Sequence, residues 1–530
     1  MLNDTHKSST PHGKLENPTK PTCDLAGRCR LTVEELIEEL KDDKRITVGL
    51  VDVDGQIRIK NVLVSRVKSG IGMCSGFYDL DIQDGLFSTI NRSQEGYIDL
   101  VASAATETLV RLPLEDGAPF CLLNLVDVKG APATTCPRHA AKRVFQTYAD
   151  LDMDPMVGLE YEFVNYLRPE GPMDPKSLVP ITSGNCFASS LRPFENKAYV
   201  DDIMSTCGQM GISLETFHTE LGPGVYEIAL EHAHATKLVD QATIFKMISK
   251  QVGIKHGIIP SFMAKPFNGR PGCSGHLHMS VKSRSTGENL FFDPAARATE
   301  ADPYRMPGMS DTFASFVTGI LVGLPSILAF LAPTVNSYKR LVENNWAPVY
   351  VDWSYRKRTS ALRVIIPEIP ANVELLSAEE LKRLGQSAHV ELRVPGADAN
   401  PYLSVAASFA CGLWGIKHNL SRIPIPALGE AGSSSDSIPT SVAVDYPKDS
   451  DGKATLPNVT GRYNPGSPNG TPLSSNLLDA VRDLRAPNSI ARQVLGDEFV
   501  DYFIQTRLHE WNLYARTVTD WEYQRYLELV

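Results

Sequence analysis

A carboxylate on the inward face of a strand needs a cation or a proton to offset its charge, and this chain places several there. Glu160-Tyr161-Glu162, the segment Glu220 to Glu227, His276-Leu277-His278 and Glu391-Leu392-Arg393 each lie among strand-like apolar residues. Together they supply five carboxylates, two imidazoles and an arginine. The set points to bound metal, and its ligand types suit a two-metal phosphoryl-transfer site. It also constrains the fold, because the chemistry sits on strands while helical segments run between them.

A length of 530 residues allows two or more domains and a large core. The net charge of −10, with no basic cluster, argues against nucleic-acid binding. The longest apolar run, Gly319 to Ala332, contains Pro325 and is expected to be a buried helix rather than a membrane span. Residues 1–30 read as a flexible, polar tail with no apolar segment of the signal-peptide kind. Nine cysteines are scattered without a CxxC pair, so a reduced, cytoplasmic setting is expected.

Thr32 and Glu35 form a capping-box pattern ahead of a short helix, and Ile46 to Val64 alternates about Asp54-Gly55 as a hairpin. Further strands, Ile98 to Leu112 and Phe120 to Val128, complete a small strand-rich domain over 31–130. A helix from Arg138 to Ala149 opens a larger domain over 131–530. There, strands at Met156 to Tyr166, Val225 to Leu230, His276 to Val281, Ala361 to Ile366 and Val390 to Val394 alternate with helices at Val239 to His256, Met309 to Leu331 and Tyr402 to Leu420. The class is α+β. Residues 423–475 are rich in Pro, Gly, Ser and Asp and read as a loop insertion, followed by a helical end.

Each motif has a plainer reading. Glu160 and Glu162 stand about 7 Å apart on one strand face, which by itself fits a solvent-facing polar edge. Glu220 and Glu227 flank a Gly-Pro-Gly turn that also fits a surface hairpin. The His276/His278 pair suits a metal or phosphate, although such pairs are often structural. His232-Ala233-His234 reads as a helix start with no companion motif. Arg340, Arg356, Arg358, Arg363 and Arg393 surround Trp346 in sequence, and Arg363 lies inside an apolar strand, which favours a paired role over a solvated face. Phosphate-loop glycine motifs and nucleophile elbows are absent.

Taken in order, Gly158-Leu-Glu-Tyr-Glu-Phe163, Glu220-Leu-Gly-Pro-Gly-Val-Tyr-Glu227, Phe262-Met-Ala-Lys-Pro-Phe267 running on to His276-Leu-His278, Asn336-Ser-Tyr-Lys-Arg340, Arg358, Arg363, and Glu391-Leu-Arg393 followed by Asn400-Pro-Tyr-Leu resemble the glutamine synthetase family. The resemblance covers roughly residues 32–530. It implies a β-grasp N-terminal domain, a catalytic domain built on a curved antiparallel sheet with helices, and a homo-oligomer of two stacked rings (dodecamer or decamer) with active sites between subunits. It implies Glu162, Glu220 and Glu227 on one Mg²⁺ or Mn²⁺ and Glu160, His276 and Glu391 on another. It further implies His278, Ser280, Arg358 and Arg363 around ATP, Arg340 and Arg393 on the glutamate substrate, and Arg358 and Arg363 on the transferring phosphoryl group.

The departures bear on the amine. Members that use ammonia carry a glutamate before the Ala-Pro where this chain has Trp346, in Asn345-Trp-Ala-Pro348. An indole accepts no proton and offers an apolar, cation–π-capable wall. The Asp-Gly-Ser-Ser loop that completes a neighbour's ammonium site has no clear equivalent in Gly72-Met-Cys-Ser-Gly-Phe-Tyr-Asp79, Val225 replaces a common glutamine, and His389 replaces a common arginine. The expectation is an ATP-dependent ligase joining glutamate to an organic amine, with Trp346 walling the amine site and Glu343 a candidate base. Two other readings stay open: glutamine synthesis from ammonia, and a non-catalytic scaffold. Neither a membrane nor a nucleic acid is an expected partner.

Overall fold

Thr32 caps the first helix, α1 (Val33–Glu39), accepting from the Glu35 amide at 3.1 Å while the Glu35 carboxylate accepts from the Thr32 amide at 2.7 Å. The computed structural model describes residues 31–87, 99–127, 129–174, 177–184, 187–300, 302, 304–343, 345–355, 357–421 and 471–529. The expected tail, Arg356 and nearly all of the expected 423–475 loop therefore lie outside the described residues.

The hairpin about Asp54-Gly55 joins β1 (Arg45–Val51) to β2 (Ile57–Leu63). With β3 (Ile71–Cys74), β4 (Asp99–Ala104), β5 (Val110–Leu112) and β6 (Ala118–Asp127) they make a six-stranded sheet ordered β2-β1-β6-β4-β3, with β5 also on β6. All six residues of β1 after Arg45 are buried, whereas every residue of β2, at the sheet edge, is exposed or half-buried.

Helix α2 (Pro137–Ala149) leads into β7 (Met153–Leu167), the long strand of a second sheet. Its other strands are β8 (Leu214–Thr219), β9 (Val225–His234), β10 (Ile258–Ser261) and β11 (Gly275–Ser283). After β12 (Tyr350–Val351) come β13 (Trp353–Ser354), β14 (Leu362–Ile365) and β15 (His389–Leu392). The order is β13-β14-β15-β11-β7-β9-β8, with β10 also on β7. Every pair is antiparallel except β13 with β14. Strand β12 instead pairs with β16 (Thr471–Pro472). The helices between and after the strands are α3 (Arg192–Glu195), α4 (Lys197–Gln209), α5 (Ala235–Lys255), α6 (Asp311–Leu331), α7 (Ala378–Gly385), α8 (Pro401–Lys417), α9 (Leu477–Arg485), α10 (Ile490–Leu495), α11 (Asp497–Arg516) and α12 (Asp520–Tyr526).

The alternation along β7 divides its two faces. Tyr161 and Phe163 turn toward α5, with Tyr161 stacked on Phe245 at 6.1 Å and Phe163 on Phe262 at 5.2 Å. Glu160 and Glu162 therefore occupy the opposite face. Helix α6 crosses α8 where Gly319 meets Gly415, and both helices are almost wholly buried. By length and composition α6 alone among the described residues is apolar enough to cross a membrane, yet it is the central core helix. Pro325 sits within it, so the expected buried helix is found.

Buried polar groups bolt the first sheet to the second. Arg138 on α2 donates to Asp240 on α5 at 2.8 and 2.9 Å and to Glu107 at 3.0 Å. Asn400 donates to the carbonyls of Asp52 and Val53, and Arg507 to Asp54. Two local expectations change. His232 lies within β9 rather than at a helix start, and only His234 caps α5, accepting from the Thr236 amide at 3.2 Å. Strand β8, which the sequence reading left unassigned, pairs with β9 and carries His218. The six described free cysteines form no disulfide.

Candidate active site

Register assembles the site. His276 on β11 is the cross-strand partner of Glu160 on β7, and Glu162 on β7 is the partner of Glu227 on β9. His218 on β8 is the next partner of Glu227, while Glu391 on β15 lies between His278 on β11 and Arg363 on β14. Cross-strand partners stand about 4.5–5.5 Å apart, so six strands deliver the charged groups to one face without any long-range adjustment. Glu220 arrives from the turn between β8 and β9. That turn depends on Gly224, whose φ is 69° and where a Cβ would meet the Asn165 carbonyl oxygen at 2.6 Å.

These groups line one cavity of about 750 Å³. Its floor carries Glu160, Glu162, Glu220, Glu227, His276, His278 and Glu391, and Arg340, Arg358, Arg363 and Arg393 stand around it. Its outer wall carries Phe187, Leu221, Asn345, Trp346 and Ala347. All the sequence-predicted site residues meet here except two. Ser280 is buried on β11 beyond the cavity, with its hydroxyl 3.3 Å from His232 Nε2. Glu343 is exposed and accepts from the Tyr350 hydroxyl at 3.1 Å, outside the lining.

Two groups of ligand atoms are close enough to share an ion. Glu160, His276 and Glu391 form one; His218, Glu220 and Glu227 form the other, each with ligand atoms within 4.8 Å of one another. The first matches the expected trio. The second adds His218 to Glu220 and Glu227, while Glu162, the cross-strand partner of Glu227, accepts from the Ser274 amide at 2.7 Å beside them. The signal for His218 was faint: an imidazole two residues before Glu220, on an unassigned strand. Phe187 was also missed, because an apolar residue in a loop carries no pattern.

The electrostatics fit cation binding. Burial, followed by the neighbouring Glu162, Glu160 and Glu220, pushes the Glu227 carboxyl up to about 9. Burial and Glu220 push Glu162 up to about 7. Burial and Arg393 push His276 down to about 4, leaving a neutral ring suited to ligation. Burial opposes ionisation of Glu160, yet hydrogen bonds from His276 and His278 hold its carboxyl well below the usual range. Among the described residues, buried Nε atoms of Arg340, Arg363 and Arg393 have no hydrogen-bond partner. Buried donors of this kind are rarely left orphaned, so they fit an anion in the cavity. Carboxylates and imidazoles on one side and guanidinium groups on the other thus fit a divalent ion carrying phosphate.

A histidine relay borders the first group. His389 Nδ1 donates to the Ser387 carbonyl at 2.6 Å, so its Nε2 accepts from His278 Nδ1 at 3.2 Å. His278 Nε2 lies 3.1 Å from Glu160 Oε1, so the ring donates from both nitrogens as an imidazolium, which burial opposes but the Glu160 carboxylate favours. At the mouth, Trp346 takes φ of 58°, a left-handed conformation unusual for a bulky residue, and remains 60% exposed.

An acid-lined, arginine-rimmed cavity on a mostly antiparallel sheet fits the binding of divalent metal and phosphate. The family model described as "Glutamine synthetase, catalytic domain" matches residues 134–430 and 460–526, and the chain belongs to the glutamine synthetase family. A type-1 glutamine synthetase 2 of Dictyostelium discoideum is 34% identical over 512 residues, covering 94% of this chain and 87% of that protein. A glutamate–isopropylamine ligase of a Pseudomonas species is 27% identical over 513 residues, covering 94% and 98%. The solved structure of apo GmaS superposes with a TM-score of 0.69 at 24% identity, covering 93% of this chain and 99% of that one, and establishes the likeness of fold. Members of this family use ATP and divalent metal.

Proposed function

We propose that this chain is a ligase that joins the γ-carboxyl of glutamate to an organic amine at the expense of ATP. The observation that carries this reading is the pairing of a complete charged floor with an aromatic wall, Phe187 and Trp346, in one cavity. Glu160, His276 and Glu391 would hold one divalent ion and Glu220 and Glu227, with Glu162 beside them, a second. When bound, these ions neutralise phosphate charge and orient the γ-phosphoryl group.

The remaining steps fall to the chain's own residues. Arg340 and Arg393 present buried guanidinium groups to the substrate carboxylates. Arg363, anchored on Glu391 at 2.9 Å, and the exposed Arg358 face the transferring phosphoryl group. Phosphorylation of the γ-carboxylate gives an acyl phosphate; the amine nitrogen then bonds to the acyl carbon as the C–O bond to phosphate breaks. Trp346 supplies an apolar surface where an ammonium-binding carboxylate would otherwise stand, so the hydrocarbon part of an amine gains contact area there. Glu343 has no part in this reading, given its place outside the cavity. Residues 31–130 would serve as the β-grasp domain of a ring-shaped homo-oligomer.

The test is phosphate release from ATP with Mg²⁺ or Mn²⁺ and glutamate, comparing ammonium with alkyl, aryl and polyamines. Release driven by an organic amine, with the γ-glutamylamide seen by mass spectrometry, is the expected result. Release with ammonium alone would favour glutamine synthesis, which the 34% identical relative supports as a second reading. No release with any amine from folded, metal-loaded protein would favour the scaffold.

A further inference from the structure

His218 is the one imidazole at the second cluster. Its Nδ1 lies 3.3 Å from the carbonyl oxygen of Thr219, an atom that only accepts, so Nδ1 carries the hydrogen. Its Nε2 then presents a lone pair to Glu227 Oε1 at 3.4 Å. Glu227 is 9% exposed, and its carboxylate accepts no hydrogen bond from the described residues. Once Glu227 is ionised, as cation binding requires, two acceptors face each other across this gap, and a cation between them satisfies both. Phe187 packs edge-on against the ring, centroid to centroid 6.3 Å. A backbone carbonyl that holds the distal ring nitrogen, with the proximal one aimed at carboxylates, is the arrangement of a metal-ligating histidine.

We infer that His218 Nε2 is a direct ligand of the cation held by Glu220 and Glu227, so that each cation site of this chain contains one nitrogen donor. The inference deepens the proposed function and rests on its metal sites, but not on the identity of the amine. Nitrogen donors favour Mn²⁺ and later divalent metals over Mg²⁺, which prefers an all-oxygen octahedron. The second site should therefore discriminate toward Mn²⁺ through His218.

The experiment is a Mn²⁺ titration of the full chain without substrates, followed by pulsed electron paramagnetic resonance for ¹⁴N coupling. The wild-type protein should bind two Mn²⁺ per subunit, both nitrogen-coupled. His218→Ala should weaken one site by about tenfold or more and remove one coupling. His276→Ala should remove the other. His218→Gln, which keeps the volume and polarity, serves if the alanine variant is poorly folded, and should likewise lose the coupling. Two sites with unchanged affinity and both couplings in folded His218 variants would overturn the inference while leaving the proposed function standing. Failure of the wild-type protein to bind Mn²⁺ would overturn both, and an organic-amine ligase that binds Mn²⁺ without a second nitrogen would overturn only the inference.

Discussion

Replacing Glu227 with Gln should stabilise the metal-free protein while destroying one cation site. In the folded chain, burial and three neighbouring carboxylates raise the Glu227 carboxyl from 4.5 to about 9. Folding therefore requires that a proton be taken up wherever the unfolded chain is ionised. The sign follows: the contribution of Glu227 is most favourable below pH 4.5 and is lost as pH rises toward 9, at about 1.4 kcal/mol per pH unit. At pH 7 the accumulated cost is about 3 kcal/mol. Glutamine keeps the shape, carries no charge and leaves no hydrogen-bond donor stranded, since none was bound to Glu227. For a chain of this length the gain corresponds to a rise in Tm of about 3 °C. Thermal unfolding in EDTA at pH 6, 7 and 8 should show Glu227→Gln above wild type by a margin that widens with pH. With saturating Mn²⁺ the order should reverse, because only the wild-type carboxylate binds the ion at full strength. A variant less stable than wild type in EDTA, or a gap that does not change with pH, would refute the reasoning.

Trp346→Glu should shift kcat/KM toward ammonium over the best organic amine by about tenfold or more, since an ammonium-binding carboxylate replaces an apolar wall; an unchanged ratio would remove Trp346 from the amine site. Glu343→Gln should leave turnover within about twofold, because the side chain is exposed and engages Tyr350 rather than the cavity. A larger loss would restore it as a base. Gly415→Ala should lower stability by about 2–3 kcal/mol, as the added Cβ would overlap the Ser315 carbonyl and stand 2.7 Å from Gly319 Cα, forcing α6 and α8 apart. Chemical denaturation would read this, and a cost below 1 kcal/mol would mean that the helices yield easily.

Much of this was legible because the chemistry sits on strands. Two-residue spacing in Glu160/Glu162 and His276/His278 assigns each pair to one face, and apolar Tyr161, Phe163 and Leu277 assign the other. What the spacing does not give is which strand lies beside which. Glu162 stands opposite Glu227, where an ion shared with Glu220 and Glu227 would put it, and strand β8 adds His218 to Glu227 from the other side. Ser280 has the right parity for the site, yet it lies one further step along β11, where His232 covers it. Glu343 is two residues from the loop that matters and turns outward to Tyr350. Phe187 enters from the segment between β7 and α3, so no periodicity announces it. These misses share a cause: parity is local, whereas distance along a strand and loop direction are set by tertiary packing.

The same division separates what this site can change from what it must keep. A one-residue slip of β11 against β7 would set Leu277 opposite Glu160 and turn both histidines toward the aromatic layer around Phe245. The placement of the acidic floor is therefore a property of register, held by every ladder in the sheet at once. The wall at the cavity mouth is not. Phe187, Asn345 and Trp346 stand on loops, and Trp346 is held in a left-handed conformation that its surroundings must enforce. Substitutions there alter the shape and polarity of the mouth without moving a cation ligand. His389 falls between the two cases. It lies on β15 two residues from Glu391 and touches the floor through His278, whose Nδ1 it meets at 3.2 Å. The loop-borne mouth of this cavity is thus free to diverge while its charged floor stays fixed by strand pairing.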